Sequence, residues 1–186
     1  MIPASLIARV AASALAMTIF LAPRVSGQAA EASPDARLKA AGIELPPAQK
    51  AVANYVPAVR TGNLVFLAGQ GPLTDGKPTI TGKVGGDVSE ADGYKAARAA
   101  ALNSLAALRA EIGSLDRVSR IVKITGWVNS APGFHRQSFV INGASDLMVQ
   151  VFGERGRHAR SAVGANELPF DIPVEIDIVV EVLPEP

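Results

Sequence analysis

Between Ser89 and Ile112 apolar side chains recur every three or four residues, at Tyr94, Ala97, Ala101, Leu105, Leu108 and Ile112. That spacing puts them on one stripe of a long helix, which must be buried against something flat and apolar. Asp87 or Ser89 can cap its start, and Gly113 stands where a left-handed terminal residue is wanted. The flanking segments supply the flat partner. Tyr55–Arg60 and Asn63–Ala68, separated by Thr61-Gly62, read as a hairpin, and Val118–Val128 as a further strand. Ile141–Phe152 reads as a second helix ended by Gly153. Ser161–Leu168 and Val174–Leu183 follow as strands. In the last, Val174, Ile176 and Ile178 alternate with Glu175 and Asp177, the period of a half-buried strand. The order is β-β-α-β-α-β-β, an α+β layout with two helices on one face of a sheet.

Two helices cover one side of such a sheet, yet the strands carry more apolar residues than one covered face needs. The uncovered face predicts association with further copies of the chain.

The N-terminus reads differently. Arg9 precedes an apolar run from Val10 to Ala22, and Val25-Ser26-Gly27-Gln28 offers a cleavage point. Residues 1–27 are expected to be an export signal, 28–37 a linker and 38–186 the domain. The expected destination is the periplasm; a retained N-terminus in the cytoplasm is the alternative. Without the signal, the 18 Lys+Arg lose Arg9 and Arg24, leaving 16 against 17 Asp+Glu. A slightly acidic chain with 5% aromatic residues gives no reason to expect nucleic acid as partner. The sequence has no cysteine and only two histidines, His135 and His158, which argues against thiolate or histidine-rich metal sites. The Gly82-Lys83-Val84-Gly85-Gly86 loop lacks a phosphate-binding signature, because no Lys-Ser/Thr closes it and no fingerprint opens a helix.

The last thirty residues are more specific. His158-Ala-Arg160-Ser, a short strand, Leu168-Pro169 and then Val174-Glu175-Ile resemble the signature of the Rid/YjgF family of enamine/imine deaminases, some members of which carry the label "endoribonuclease L-PSP". Asn54-Tyr55-Val, Gly62-Asn63-Leu-Val-Phe-Leu-Ala-Gly69-Gln70 and Asn142-Gly-Ala-Ser fall in the same order upstream, so the resemblance spans Leu38 to about Val182. The loop at Gly82 and Gly156-Arg-His-Ala-Arg160 are similar to the YjgF/chorismate-mutase-like branch. The resemblance implies a chorismate-mutase-like α+β fold with a mixed sheet, a homotrimer, sites between subunits and no cofactor. It further implies that Arg160 holds the substrate carboxylate, that Glu175 stands near the attacking water, and that Tyr55, Gly69 and Asn142 line the pocket. Ala68 and Ala162 depart from the pattern, where archetypal members carry a serine and many carry a cysteine.

The residue types suit the implied reaction, hydrolysis of a small 2-imino or enamino acid to a 2-oxo acid and ammonia. A guanidinium binds a carboxylate through two parallel hydrogen bonds and keeps its charge. A glutamate can orient water and carry a proton to the leaving nitrogen. If Ser161–Leu168 and Val174–Leu183 pair as a hairpin about Phe170, Arg160 and Glu175 are separated by roughly 20 Å along the sheet. They then meet only across a subunit boundary.

Plainer roles remain open. Arg160 can be an ion-pair partner, Glu175 a surface acid, Tyr55 a packed aromatic, Asn142 a helix cap and His158 a structural or exposed side chain. Two other functions also stand. One is a non-catalytic binder of small carboxylates, made plausible by Ala68 and Ala162. The other is an endoribonuclease, favoured only by the basic cluster Arg155, Arg157, His158 and Arg160.

Overall fold

Ser33 opens the first helix of the computed structural model, which describes residues 32–184. The Ser33 hydroxyl accepts a hydrogen bond from the Ala36 N–H at 3.2 Å, and Pro34 brings a preset φ to the first turn of α1 (Pro34–Ala40). The helix therefore starts inside the stretch expected to be a linker, and Leu38 anchors it in the core. The expected signal, residues 1–27, lies outside the described residues.

Strands β1 (Ala58–Thr61) and β2 (Leu64–Leu67) form the expected hairpin, with Gly62 at φ 57° in its turn. A second, minimal hairpin joins β3 (Leu73–Thr74) to β4 (Lys77–Pro78). Its turn residues Asp75 and Gly76 both have positive φ, the mirror-image turn that Asp-Gly favours. Helix α2 (Glu90–Ile112) is capped by the Ser89 hydroxyl at one end and by Gly113, at φ 81°, at the other. Strand β5 (Val118–Asn129) follows, then α3 (Gln137–Phe152), β6 (Ala159–Ala165) and β7 (Val174–Val182). Helix α3 starts four residues before Ile141, and β6 ends before Leu168.

The five-stranded sheet has the order β1-β2-β7-β5-β6. Only β5 and β6 run parallel, so the sheet is mixed. The last two strands do not pair as a hairpin, the condition on which the separation of roughly 20 Å rested. The β5–α3–β6 crossover places β6 parallel beside β5. The chain then turns at Leu168–Ile172 and lays β7 antiparallel along the other edge of β5.

Helices α2 and α3 cover one face. Leu105, Leu108, Ile141 and Leu147 join Ile124, Val128, Ile176 and Val180 in a single buried cluster. The helices approach so closely that a Cβ on Gly143 would stand 2.0 Å from the Tyr94 carbonyl oxygen. The opposite face remains open: Val59, Phe66, Trp127 and Val163 are 54, 44, 40 and 38% exposed. The alternation of β7 decides which residues go where, since its buried positions face the helices and Glu175, Asp177, Val179 and Glu181 face the other way.

Candidate functional site

Arg160 pairs in register with Ile124, whose side chain is buried under α3, so its guanidinium is directed to the helix-covered side at the edge of the sheet. There Nη1 donates to Asn142 Oδ1 at 2.8 Å and to Ser145 Oγ at 3.0 Å. Asn142 and Ser145 are three residues apart on α3 and so share a face. Asn142 lies within the helix and is not a cap: among the described residues its side chain serves the arginine. With both acceptors on Nη1, the Nε and Nη2 edge of the fork is left to meet a planar anion.

His158 is tied into the same cluster. Its Nδ1 lies 2.7 Å from the Gly156 carbonyl oxygen, which can only accept, so the proton sits on Nδ1. Nε2 then accepts from the Ser145 hydroxyl at 3.1 Å, and that hydroxyl in turn accepts from Arg160. Burial pushes the imidazole pKa below its ordinary value; the Gly156 bond opposes the shift and the Arg160 charge adds to it. His158, read from sequence as structural or exposed, is a neutral link in a directional chain ending on Arg160. Its partner Ser145 was not singled out, because nothing in the local pattern brings residues 145, 158 and 160 together.

Glu175 belongs elsewhere. It pairs with Trp127 on the open face of the sheet and lies against Gly69. The Gln70–Ile176 bridge, with bonds of 2.9 Å in both directions, holds the two backbones together. A Cβ at position 69 would stand 2.1 Å from Glu175 Oε1, so the close approach requires glycine. Glu175 is half-buried, and desolvation, reinforced by the Asp177 charge, raises its carboxyl pKa. Asp177 is raised as well, chiefly by burial and against hydrogen bonds from Trp127 and Thr125, and its Oδ1 is buried without a partner among the described residues.

Beside Glu175 opens a cavity of about 290 Å³ whose lining includes Tyr55, Ala68, Gly69, Phe170 and Ile172. Tyr55, about half exposed, stands at its rim. A wider concavity of about 670 Å³ lies beside α1, lined by the charged residues Asp35, Lys39, Glu44 and Arg109, of which Asp35 and Arg109 pair with each other.

Of the five expected site residues, the fold thus brings Tyr55, Gly69 and Glu175 to one cavity and Arg160 and Asn142 to another place. Arg160 and Glu175 are two strands apart and offset by three residues in register. At ~4.8 Å per strand and ~3.3 Å per residue their backbones are about 14 Å apart, not roughly 20 Å, and their side chains leave opposite faces. Among the described residues no group of three or more His, Asp or Glu side chains could hold a metal ion, and no helix is long and apolar enough to cross a membrane.

Residues 35–181 match the family model described as "YjgF/chorismate mutase-like, putative endoribonuclease". Protein TCP17 of Trypanosoma cruzi is 47% identical over 147 residues, covering 78% of this chain and 92% of its own. The crystal structure of Atu1372 from Agrobacterium tumefaciens, a protein of unknown function, is 47% identical with a TM-score of 0.75, covering 81% of this chain and 92% of that one. A Shewanella oneidensis structure, named as an endoribonuclease in the same words as the family, is 34% identical with a TM-score of 0.78, covering 81% and 100%. With its mixed sheet, its α+β layering and matches of this length, the chain belongs to the YjgF/chorismate mutase-like family.

Proposed function

We propose that this protein is a Rid-like deaminase that hydrolyses small 2-imino acids to 2-oxo acids and ammonia, at sites assembled between copies of the chain in a homotrimer. The observation that carries the reading is the division of the site. One chain presents a carboxylate clamp, Arg160 oriented by Asn142 and Ser145, at the edge of its sheet. The same chain presents a raised-pKa carboxylate, Glu175, beside an open cavity on the other face. Each half lacks what the other supplies. An open sheet face bearing Val59, Phe66, Trp127 and Val163 supports the association that would join them.

In the joined site, Arg160 holds the substrate carboxylate through Nε and Nη2. Water adds to the electrophilic carbon of the iminium group, and Glu175 takes one of its protons. Glu175 returns that proton to the nitrogen of the resulting carbinolamine. The C–N bond breaks as the C=O bond forms, and the hydroxyl proton leaves with the ammonia as ammonium. A raised pKa suits this role, because a base whose proton affinity lies nearer the working pH both takes and returns the proton readily. Tyr55 at the rim can donate a hydrogen bond or shield the site from solvent. The step needs positioning more than electrophilic activation. The crystal structure of E. coli TdcF with bound serine, 25% identical with a TM-score of 0.52, shows a family neighbour holding a small amino acid, a ligand of this size and charge.

Export to the periplasm, read from residues 1–27, belongs to the same proposal. Ala68 in the cavity wall, which has no hydroxyl to offer a substrate, favours a second reading, a binder of small carboxylates without turnover. Ammonia release from a 2-imino acid generated in situ by an amino-acid oxidase separates the two. The deaminase reading expects acceleration over spontaneous hydrolysis and its loss in Arg160→Lys. Binding of a 2-oxo acid without acceleration would favour the binder, and salt-sensitive RNA cleavage would overturn both.

A further inference from the structure

Phe170 combines two unfavourable features. Its φ is 58° and that of Asp171 is 54°, so two successive residues occupy the left-handed region. An aspartate tolerates this; a bulky aromatic does so rarely, and glycine would adopt it without cost. The ring is also 62% exposed, so packing within the chain does not repay the strained backbone. Strain retained where folding gains nothing from it points to a functional demand.

The strained turn is held firmly. Asn129, fully buried, donates from Nδ2 to Asp171 Oδ1 at 3.1 Å, and the Gly82 N–H donates to the Asp171 carbonyl at 2.8 Å. Lys83 Nζ donates to Asn129 Oδ1 at 2.8 Å and also bonds the Asn166 carbonyl oxygen, bracing the turn from its other side. The backbone that carries Phe170 is therefore held in place. Phe170 borders the cavity next to Glu175, whose apolar lining also includes Val52, Tyr55, Pro57, Leu73 and Ile172. The reacting carbon would sit at Gly69 and Glu175; Gln49, Lys50 and Gln70 are the other polar side chains on the lining. The apolar side chains, Phe170 among them, offer surface to whatever projects from that carbon.

We propose that Phe170 is a specificity-determining residue that selects 2-imino acids with a bulky apolar side chain, of leucine or phenylalanine size, over those with a small one. The proposal rests on the deaminase reading of the same site. A correctly filled apolar pocket distinguishes substrates by on the order of 10–200-fold per group fitted.

The test compares imino acids formed in situ from alanine, leucine and phenylalanine, in the parent protein and in Phe170→Gly. Glycine relieves the left-handed backbone, so the variant is expected to fold with a Tm no lower than the parent. The expected result is a kcat/KM at least tenfold higher for the leucine- and phenylalanine-derived substrates. Phe170→Gly should bring that ratio near one by lowering kcat/KM for the two bulky substrates. A parent ratio near one, or a ratio unchanged in Phe170→Gly, overturns the proposal. So does a variant that dissociates the assembly with selectivity intact, since the ring would then serve association. If no imino acid is accelerated, the deaminase reading fails by itself, and calorimetric binding reads the pocket directly. Phenylpyruvate binding tenfold tighter than pyruvate, and only with Phe170 present, sustains the selectivity; equal binding, or none, ends it.

Discussion

Arg160 and Glu175 stand on opposite faces of one sheet: the first pairs with Ile124 on the helix-covered side, the second with Trp127 on the open side. No rotamer change brings them to one small molecule, so a site that uses both takes them from different copies. Two inactive variants should therefore rescue each other. Arg160→Ala and Glu175→Gln, each expected to lose about 100-fold or more in kcat/KM, are mixed under denaturing conditions and refolded together. In the mixture about a quarter of the sites draw an intact arginine from one variant and an intact glutamate from the other. Ammonia release near that fraction of the parent rate is the expected outcome. Activity no higher than that of either variant alone would remove the shared site.

Glu175 is expected to make both catalysis and stability depend on pH. Its pKa is raised in the folded chain by burial and by Asp177, so on lowering the pH the folded protein takes up the proton before the unfolded chain does. The folded state is therefore favoured below the unfolded carboxylate pKa, and that advantage is lost as pH rises through the folded value. Glu175→Gln, which has no charge to desolvate, should raise the Tm at pH 7 and leave it nearly unchanged at pH 4. In the parent, kcat/KM should fall on the acid side at a pH above the ordinary carboxylate range, and the residual activity of Glu175→Gln should lack that limb. Thermal melts and rate profiles on the same samples check both.

The legibility of these features in the sequence follows their physical range. Helix α2 was readable because both its caps and its stripe lie within the segment, and β7 because its two-residue alternation is unbroken over Val174–Val182. The start of α3 was not: Arg136 makes no side-chain capping bond, and the apolar period begins only after Gln137 and Ser138. Strand order is not legible locally, because a short connection between two strands suggests a hairpin, whereas the pairing of β5 on both edges is a property of the whole sheet. Arg160, Glu175, Tyr55, Gly69 and Asn142 were found by resemblance. What Gly69 does, making room for the Glu175 carboxylate, and what Ser145 and His158 do to Arg160, are contacts between distant segments that no local pattern encodes.

The hydrogen-bonded chain from His158 through Ser145 to Arg160 predicts a binding effect without a chemical one. Ser145→Ala removes one acceptor from the guanidinium and leaves His158 Nε2 without its donor. Loss of one hydrogen bond to a charged group is worth about 1.5 kcal/mol, so KM should rise roughly tenfold while kcat stays within about twofold. Ser145→Thr keeps the hydroxyl and should restore KM. The imidazole pKa is lowered, so His158 is neutral at pH 7, and protonation at acid pH turns Nε2 from acceptor to donor. The parent KM should therefore rise on acidification below the ordinary histidine range, and Ser145→Ala should lose that dependence. An unchanged KM in Ser145→Ala would show that Asn142 alone orients the arginine.

Gly69 predicts a loss of catalysis without a loss of fold. The Cβ of Gly69→Ala meets Glu175 Oε1 at 2.1 Å and its carboxyl carbon at 2.8 Å, the far end of a side chain that can swing toward the open face. Relaxation of that kind is cheap, so the Tm should fall by only a few degrees. The carboxylate, however, is displaced from the place where it meets water, and general-base catalysis is sensitive to such a shift. Gly69→Ala should therefore lose about 100-fold in kcat, comparable to Glu175→Gln. The decisive measurement is the pair. If both substitutions act through one misplaced or missing carboxylate, Gly69→Ala/Glu175→Gln is no slower than Glu175→Gln alone, the non-additivity expected of residues acting as a unit. Multiplied losses would mean that the Gly69 backbone contacts the substrate on its own account, with Glu175 a neighbour and not the reason for the glycine.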